Sequence, residues 1–145
     1  LVIEFGEGFD ALDIGAATTR ADIRHVLESA TSGRILRGGV EIVEYSGMDP
    51  IVDNGDAANR EFSCTGGAET VTLSDDGDGA TGNGYSFIDS ELAEQIVFLN
   101  PTESLTINLG SGSDTVVLGA LDTPLAGTFT VAAVCPLSTS AAADE

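Results

Sequence analysis

The chain has no lysine. Its five basic residues are all arginines, set against 24 aspartates and glutamates, for a net charge of −19 over 145 residues. A surface of that sign repels nucleic acid and anionic lipid, which excludes both as partners. It also repels itself, and bound or screening cations offset that repulsion. No apolar run approaches the roughly 20 residues of a membrane-spanning helix, so membrane insertion is not expected. One histidine and two distant cysteines cannot close a zinc site. Neither an initiating methionine nor a signal-peptide pattern opens the chain, which starts at Leu1 inside a strand-like segment. A processed product or a piece of something longer is the expectation.

Apolar residues make up 42% of the chain, too many for disorder, and the length suits one domain. Cys64 and Cys135 fit either a single disulfide in an oxidising compartment or two buried thiols. A bridge would tie the middle of the chain to its last strand.

An internal repeat organises the sequence. Residues 3–15 read IEFGEGFDALDIG and residues 107–119 read INLGSGSDTVVLG. Both follow Ile-x-Φ-Gly-x-Gly-x-Asp-x-Φ-x-Φ-Gly, where Φ is apolar. A weaker copy, FSCTGGAETVTLS at 62–74, keeps Phe62, Cys64, Gly67, Glu69, Val71 and Leu73 in register. Each copy reads as strand, tight glycine turn, strand, because apolar and polar residues alternate on both sides of the glycines. Further strands are expected at 40–45, 95–99 and 129–134. One β-rich domain over 1–137 follows, with a flexible tail at 138–145. Two insertions interrupt it. Residues 19–33 are expected to form a short helix, with Thr19 as cap, Ile23, Val26, Leu27 and Ala30 on one face, and Gly33 as its end. Residues 74–85, SDDGDGATGNGY, read as an acidic loop.

The turn Gly-x-Gly-x-Asp-x-Φ-x resembles the haemolysin-type (RTX) calcium-binding nonapeptide, G-G-x-G-x-D-x-Φ-x, although Phe5 and Leu109 stand where its first glycine belongs. Residues 41–121, including YSGMDPIVDNGDAANREF and NPTESLTINLGSGSDTVVLGALD, resemble repeat segments of very large bacterial surface proteins and adhesins. The resemblance implies a parallel β-roll or β-helix, calcium held between stacked turns, secretion to the cell surface, and a structural or adhesive role.

Calcium wants six to eight oxygens, which carboxylates and the carbonyls of a Gly-rich turn can supply. If the copies stack, Asp10, Glu69 and Asp114 fall in one column, with turn carbonyls around Gly6, Gly8, Gly110 and Gly112 completing the shell. Asp75, Asp76 and Asp78 form a second acidic cluster. They read as half of a calcium loop that lacks its bidentate glutamate, or as a solvated acidic loop. His25, with Asp22 and Ser29 at helical spacing, reads as a solvated helix face, not a catalytic group. Thr70, Thr72 and Thr115 read as ordinary strand residues.

The expected fold is all-β: a parallel β-helix or roll of about three irregular coils, with an antiparallel β-sandwich as the alternative. Its core column is Ile3, Phe5, Leu12, Ile14, Phe62, Cys64, Val71, Leu73, Ile107, Leu109, Val116 and Leu118. The expected function is non-catalytic: a calcium-stabilised extracellular module contacting other modules, copies of itself or surface polysaccharide. A self-assembling filament subunit, and a polysaccharide-binding or -cleaving β-helix, are the alternatives.

Overall fold

A computed structural model describes residues 1–4, 12–15, 21–48, 50–64, 66–80, 82–121, 125–134 and 137–141. These residues form fourteen strands and no helix: β1 (Val2–Glu4), β2 (Leu12–Ile14), β3 (Ala21–Ser29), β4 (Ser32–Arg37), β5 (Val40–Ser46), β6 (Ile51–Asp53), β7 (Ala57–Cys64), β8 (Thr70–Asp75), β9 (Tyr85–Ser90), β10 (Ala93–Leu99), β11 (Ser104–Asn108), β12 (Asp114–Leu118), β13 (Thr128–Ala132) and β14 (Leu137–Ala141). One seven-stranded sheet has the order β1-β5-β4-β3-β7-β11-β13. The other has the order β14-β12-β8-β9-β10-β6-β2.

Successive strands alternate between the two sheets except in two antiparallel meanders, β3–β4–β5 in the first sheet and β8–β9–β10 in the second. Every other neighbouring pair is parallel.

The repeat alignment reappears as strand register. Ile107 lies opposite Phe62 in the first sheet, and Val116 and Leu118 lie opposite Val71 and Leu73 in the second. Both offsets are 45 residues, as the copies at 62–74 and 107–119 require. Their turns match as well: Gly67 has φ 142° and Gly112 has φ 146°. A Cβ on Gly112 would lie 2.4 Å from the Gly67 carbonyl oxygen, so the turns stack too closely for any side chain there. The copy at 3–15 behaves differently. Its strands pair with β5 and β6 at the opposite end of both sheets. The meanders stand between it and the other two copies, so the three do not form one continuous column.

Residues 21–37 are a β-hairpin, not the expected helix. Apolar residues at 23, 26, 27 and 30 imitate helical spacing, but the buried positions are Ile23, His25 and Leu27, a period of two. His25 counts as polar in a sequence, and that hid the alternation. At the start of the expected tail, Leu137–Ala141 forms a strand that pairs in parallel with β12, and 142–145 lie outside the described residues.

Apolar residues from both sheets share one core. Of the expected column, Phe62, Val71, Leu73, Ile107, Leu109 and Val116 are fully buried. Ile3, Leu12, Ile14, Cys64 and Leu118 are partly buried against it, and Phe5 lies outside the described residues. Val116 is 1% exposed, whereas Val117 is half-buried opposite Thr72. Val116→Ala should therefore destabilise the protein by about 1 kcal/mol or more beyond Val117→Ala in denaturant titrations. Equal costs would contradict this register.

Candidate functional site

The stacked turns bring two carboxylates together. Asp114 opens β12, and Glu69 precedes β8 in the adjoining copy. The Thr115 amide donates to the Glu69 carbonyl at 2.9 Å, and the Gly67 amide to the Ser111 carbonyl at 2.7 Å. The Glu69 amide also donates to Asp114 Oδ1 at 3.3 Å. Glu69 is 5% exposed and Asp114 is 1% exposed. Ser90 Oγ donates to Glu69 Oε2 at 2.6 Å. Glu69 Oε1 and Asp114 Oδ2 are buried and accept no hydrogen bond. Buried carboxylate oxygens left without donors are costly, and here two of them lie in adjoining copies of the repeat.

The same position recurs around the molecule. Glu69 and Asp114 each stand two residues before an inward residue of the second sheet, Val71 and Val116. Glu94, 1% exposed, stands two before Ile96 in the same way. In the sequence, Asp10 and Asp49 stand two before Leu12 and Ile51.

Gly110 and Gly112 lie in the stacked turn with Glu69 and Asp114. Asp10, Gly6 and Gly8 lie outside the described residues. Among the described residues, no three histidine, cysteine or acidic side chains converge on a point that would hold a metal ion. Any cation here would be held by two carboxylates, the Ser90 hydroxyl and turn carbonyls, a hard-oxygen set that suits calcium and not zinc.

Cys64 is a free thiol, and its expected partner Cys135 lies outside the described residues. Burial pushes the Cys64 pKa up, and the nearby carboxylates of Glu69, then Asp114, add to the shift. The thiol stays protonated and unreactive at neutral pH.

Asp75, Asp76 and Asp78 each give at least one oxygen to their own loop, while Asp75 Oδ1 is buried without a hydrogen-bond partner. They accept from the amides of Gly77, Asp78 and Ala80, and Asn83 Nδ2 donates to Asp76 and Asp78. These are Asx turns.

The sequence alone did not reveal a fully buried polar cluster among the described residues. His25 was expected on a solvated helix face, yet it is 0% exposed, with Asp53 at 0% and Arg60 at 1%. His25 Nε2 lies 2.8 Å from Asp53 Oδ2, Arg60 Nη1 donates to the same oxygen, and Arg60 Nη2 donates to the Gly55 carbonyl at 2.9 Å. The Gly55 amide donates to Asp53 Oδ1 at 2.8 Å. His25 stacks on Phe62 at 5.1 Å, and Arg60 lies over the Phe98 ring.

Burial lowers the His25 pKa against the pull of Asp53, so the imidazole is neutral and its Nε2–H donates to Asp53. The unpartnered Nδ1 fits this, because a buried lone pair costs less than a buried N–H. Burial alone would raise Asp53, but the hydrogen bond from His25, then the charge of Arg60 and the Gly55 amide, hold it well below the usual carboxylate range. All three side chains are closed to solvent. The role of the group is to join β3, β6 and β7 across the two sheets.

Searches of known protein families, curated sequences and solved structures found nothing that matches this chain.

The sealed network sets an acid response. With its folded pKa lowered, His25 stabilises the fold above the unfolded value of about 6.5, and that contribution falls as pH drops below it. Asp53 contributes above about 4 and is lost below that. The melting temperature should fall from about pH 6.5 downward, then more steeply below about pH 4. His25→Gln should remove the first decline and keep the second. An identical profile in the variant would contradict the buried neutral imidazole.

Proposed function

We propose that this chain is a non-catalytic, calcium-stabilised structural or adhesive module of a secreted bacterial surface protein, with its repeats stacked as coils of a β-solenoid. One observation carries the reading: stacked turns hold Glu69 and Asp114 side by side, buried, each with an oxygen that no protein group satisfies. A divalent cation there neutralises both charges and takes up both oxygens. The net charge of −19 and the resemblance of the turn to RTX nonapeptides support the same reading. Alternation between the sheets and the parallel 45-residue register support the solenoid. The histidine network, closed to solvent, lends no support to catalysis.

Extracellular calcium sites of this kind bind at about 10⁻⁴ to 10⁻³ M. At the tighter end, 10 mM calcium (~100-fold above Kd) should raise the melting temperature by about 5–10 °C over excess chelator. Asp114→Asn should abolish that increment and, by relieving repulsion, raise the melting temperature in chelator. The same melting temperature with and without calcium would refute the reading.

A filament subunit is the second reading, favoured by the sheet edges. β1 and β13 end one sheet and β2 and β14 the other, each with a single neighbour among the described residues. Leu1, Val2 and Val134 are exposed at these ends. The chain has no lysine, a residue that commonly guards open edges. Negative-stain microscopy with calcium decides between the two: fibres support the filament, and single particles support the module.

A further inference from the structure

The first sheet carries a concavity of about 440 Å³ on its polar face, remote in kind from the buried acids. Asp22, Arg24, Asn59, Glu61, Ser104 and Thr106 line it, with Ile23 and Leu36 as its apolar contributions. We propose that it binds a neutral oligosaccharide.

The concavity sits at a β-bulge. Between Ala21 and Ile23 on β3, the partner strand β7 runs from Ala57 to Arg60, one residue too many. Bulges re-aim side chains and gather beside binding sites. The polar groups around it are held in place before any ligand arrives. Asn59 Nδ2 donates to Asp22 Oδ1 at 2.8 Å, and Ser104 Oγ donates to Asn59 Oδ1 at 2.6 Å. Glu61 Oε1 accepts from Ser63 and Asn108 and pairs with Arg24 at 3.2 Å. Such ties reduce the entropy lost when a flexible ligand is ordered.

The chemistry selects the ligand class. Sugar hydroxyls donate and accept at once, and this surface offers both on planar, fork-shaped groups: carboxylates, an amide and a guanidinium, with two hydroxyls beside them. A polyanion is disfavoured, because Arg24 is already paired with Glu61 and stands beside Asp22. An apolar or aromatic ligand would find only Ile23 and Leu36 and no ring to stack on. The volume falls within the ~300–1,000 Å³ range of small-ligand clefts.

Register extends the surface into a track. Asn59, Ser104 and Thr128 lie opposite one another on β7, β11 and β13, and Arg24, Glu61, Thr106 and Thr130 form the next row from β3 to β13. Thr128 and Thr130 are exposed. At about 4.8 Å between strands, these rows cover roughly 14 Å, which suits several linked sugars and not one.

The test is an array of neutral and uronate-containing oligosaccharides probed with the intact chain, followed by isothermal titration of the best neutral binder. Neutral oligosaccharides should bind, longer ones more tightly. Asn59→Ala and Thr106→Ala should each weaken binding about tenfold, and Ser104→Trp, which fills the concavity, should abolish it. Thr72→Ala, in the other sheet, should leave binding unchanged. Circular-dichroism melts confirm that each variant is folded. Absence of neutral binding at millimolar ligand, binding of uronates alone, or binding that survives Asn59→Ala and Ser104→Trp would overturn the proposal.

Discussion

The parallel register between residues 62–74 and 107–119 is the constraint on which the rest of the structure depends. It places Phe62 beside Ile107 and Val71 beside Val116, which fills the core between the sheets. It also demands glycine at 112, where a Cβ would strike the Gly67 backbone, while the φ of 142° favours glycine at 67. The same closeness sets Glu69 beside Asp114. A period-two strand cannot slip by one residue without turning its apolar set to solvent, so the acids cannot move apart while the core stays packed. Core packing and the acidic pair are two results of one register.

A second tie holds the sheets together. His25 and Arg60 come from adjacent strands of the first sheet, and Asp53 comes from the second. Removing one member of a buried ionic group typically costs about 3–5 kcal/mol, because a charge is left without compensation. The aromatic line from His25 through Phe62 to Phe98, with centroid steps of 5.1 and 4.9 Å, crosses the same interface. These contacts lie beside the meanders, where the alternation between sheets is interrupted and packing cannot rely on repetition. Specific polar contacts do there what repeated apolar columns do at β7–β12.

The repeated part of the fold was legible because glycine turns and alternating apolar residues state their own register. Glu69 could be matched to Asp114 from sequence for that reason. The meanders were not legible. In β9 serines hold two of the three buried positions, Ser86 and Ser90, and β3 places a histidine at an inward position, which breaks the apolar count and imitates a helix. Arg60 was invisible for a related reason: a buried arginine is meaningful only beside Asp53, and nothing local in DNGDAANREF announces that pairing. The copy at 3–15 carries a strand at each end, Val2–Glu4 and Leu12–Ile14, as its pattern implied. Its place in the stack depends on meanders that local pattern does not reveal.

The central claim is that the acids of the stacked turns share a cation. An anomalous-difference map from crystals grown with terbium in place of calcium tests it most directly. The expected result is a single strong peak between Glu69 and Asp114, within bonding distance of Glu69 Oε1 and Asp114 Oδ2. A map with no peak there, in crystals where those two oxygens face one another or only water, would contradict it.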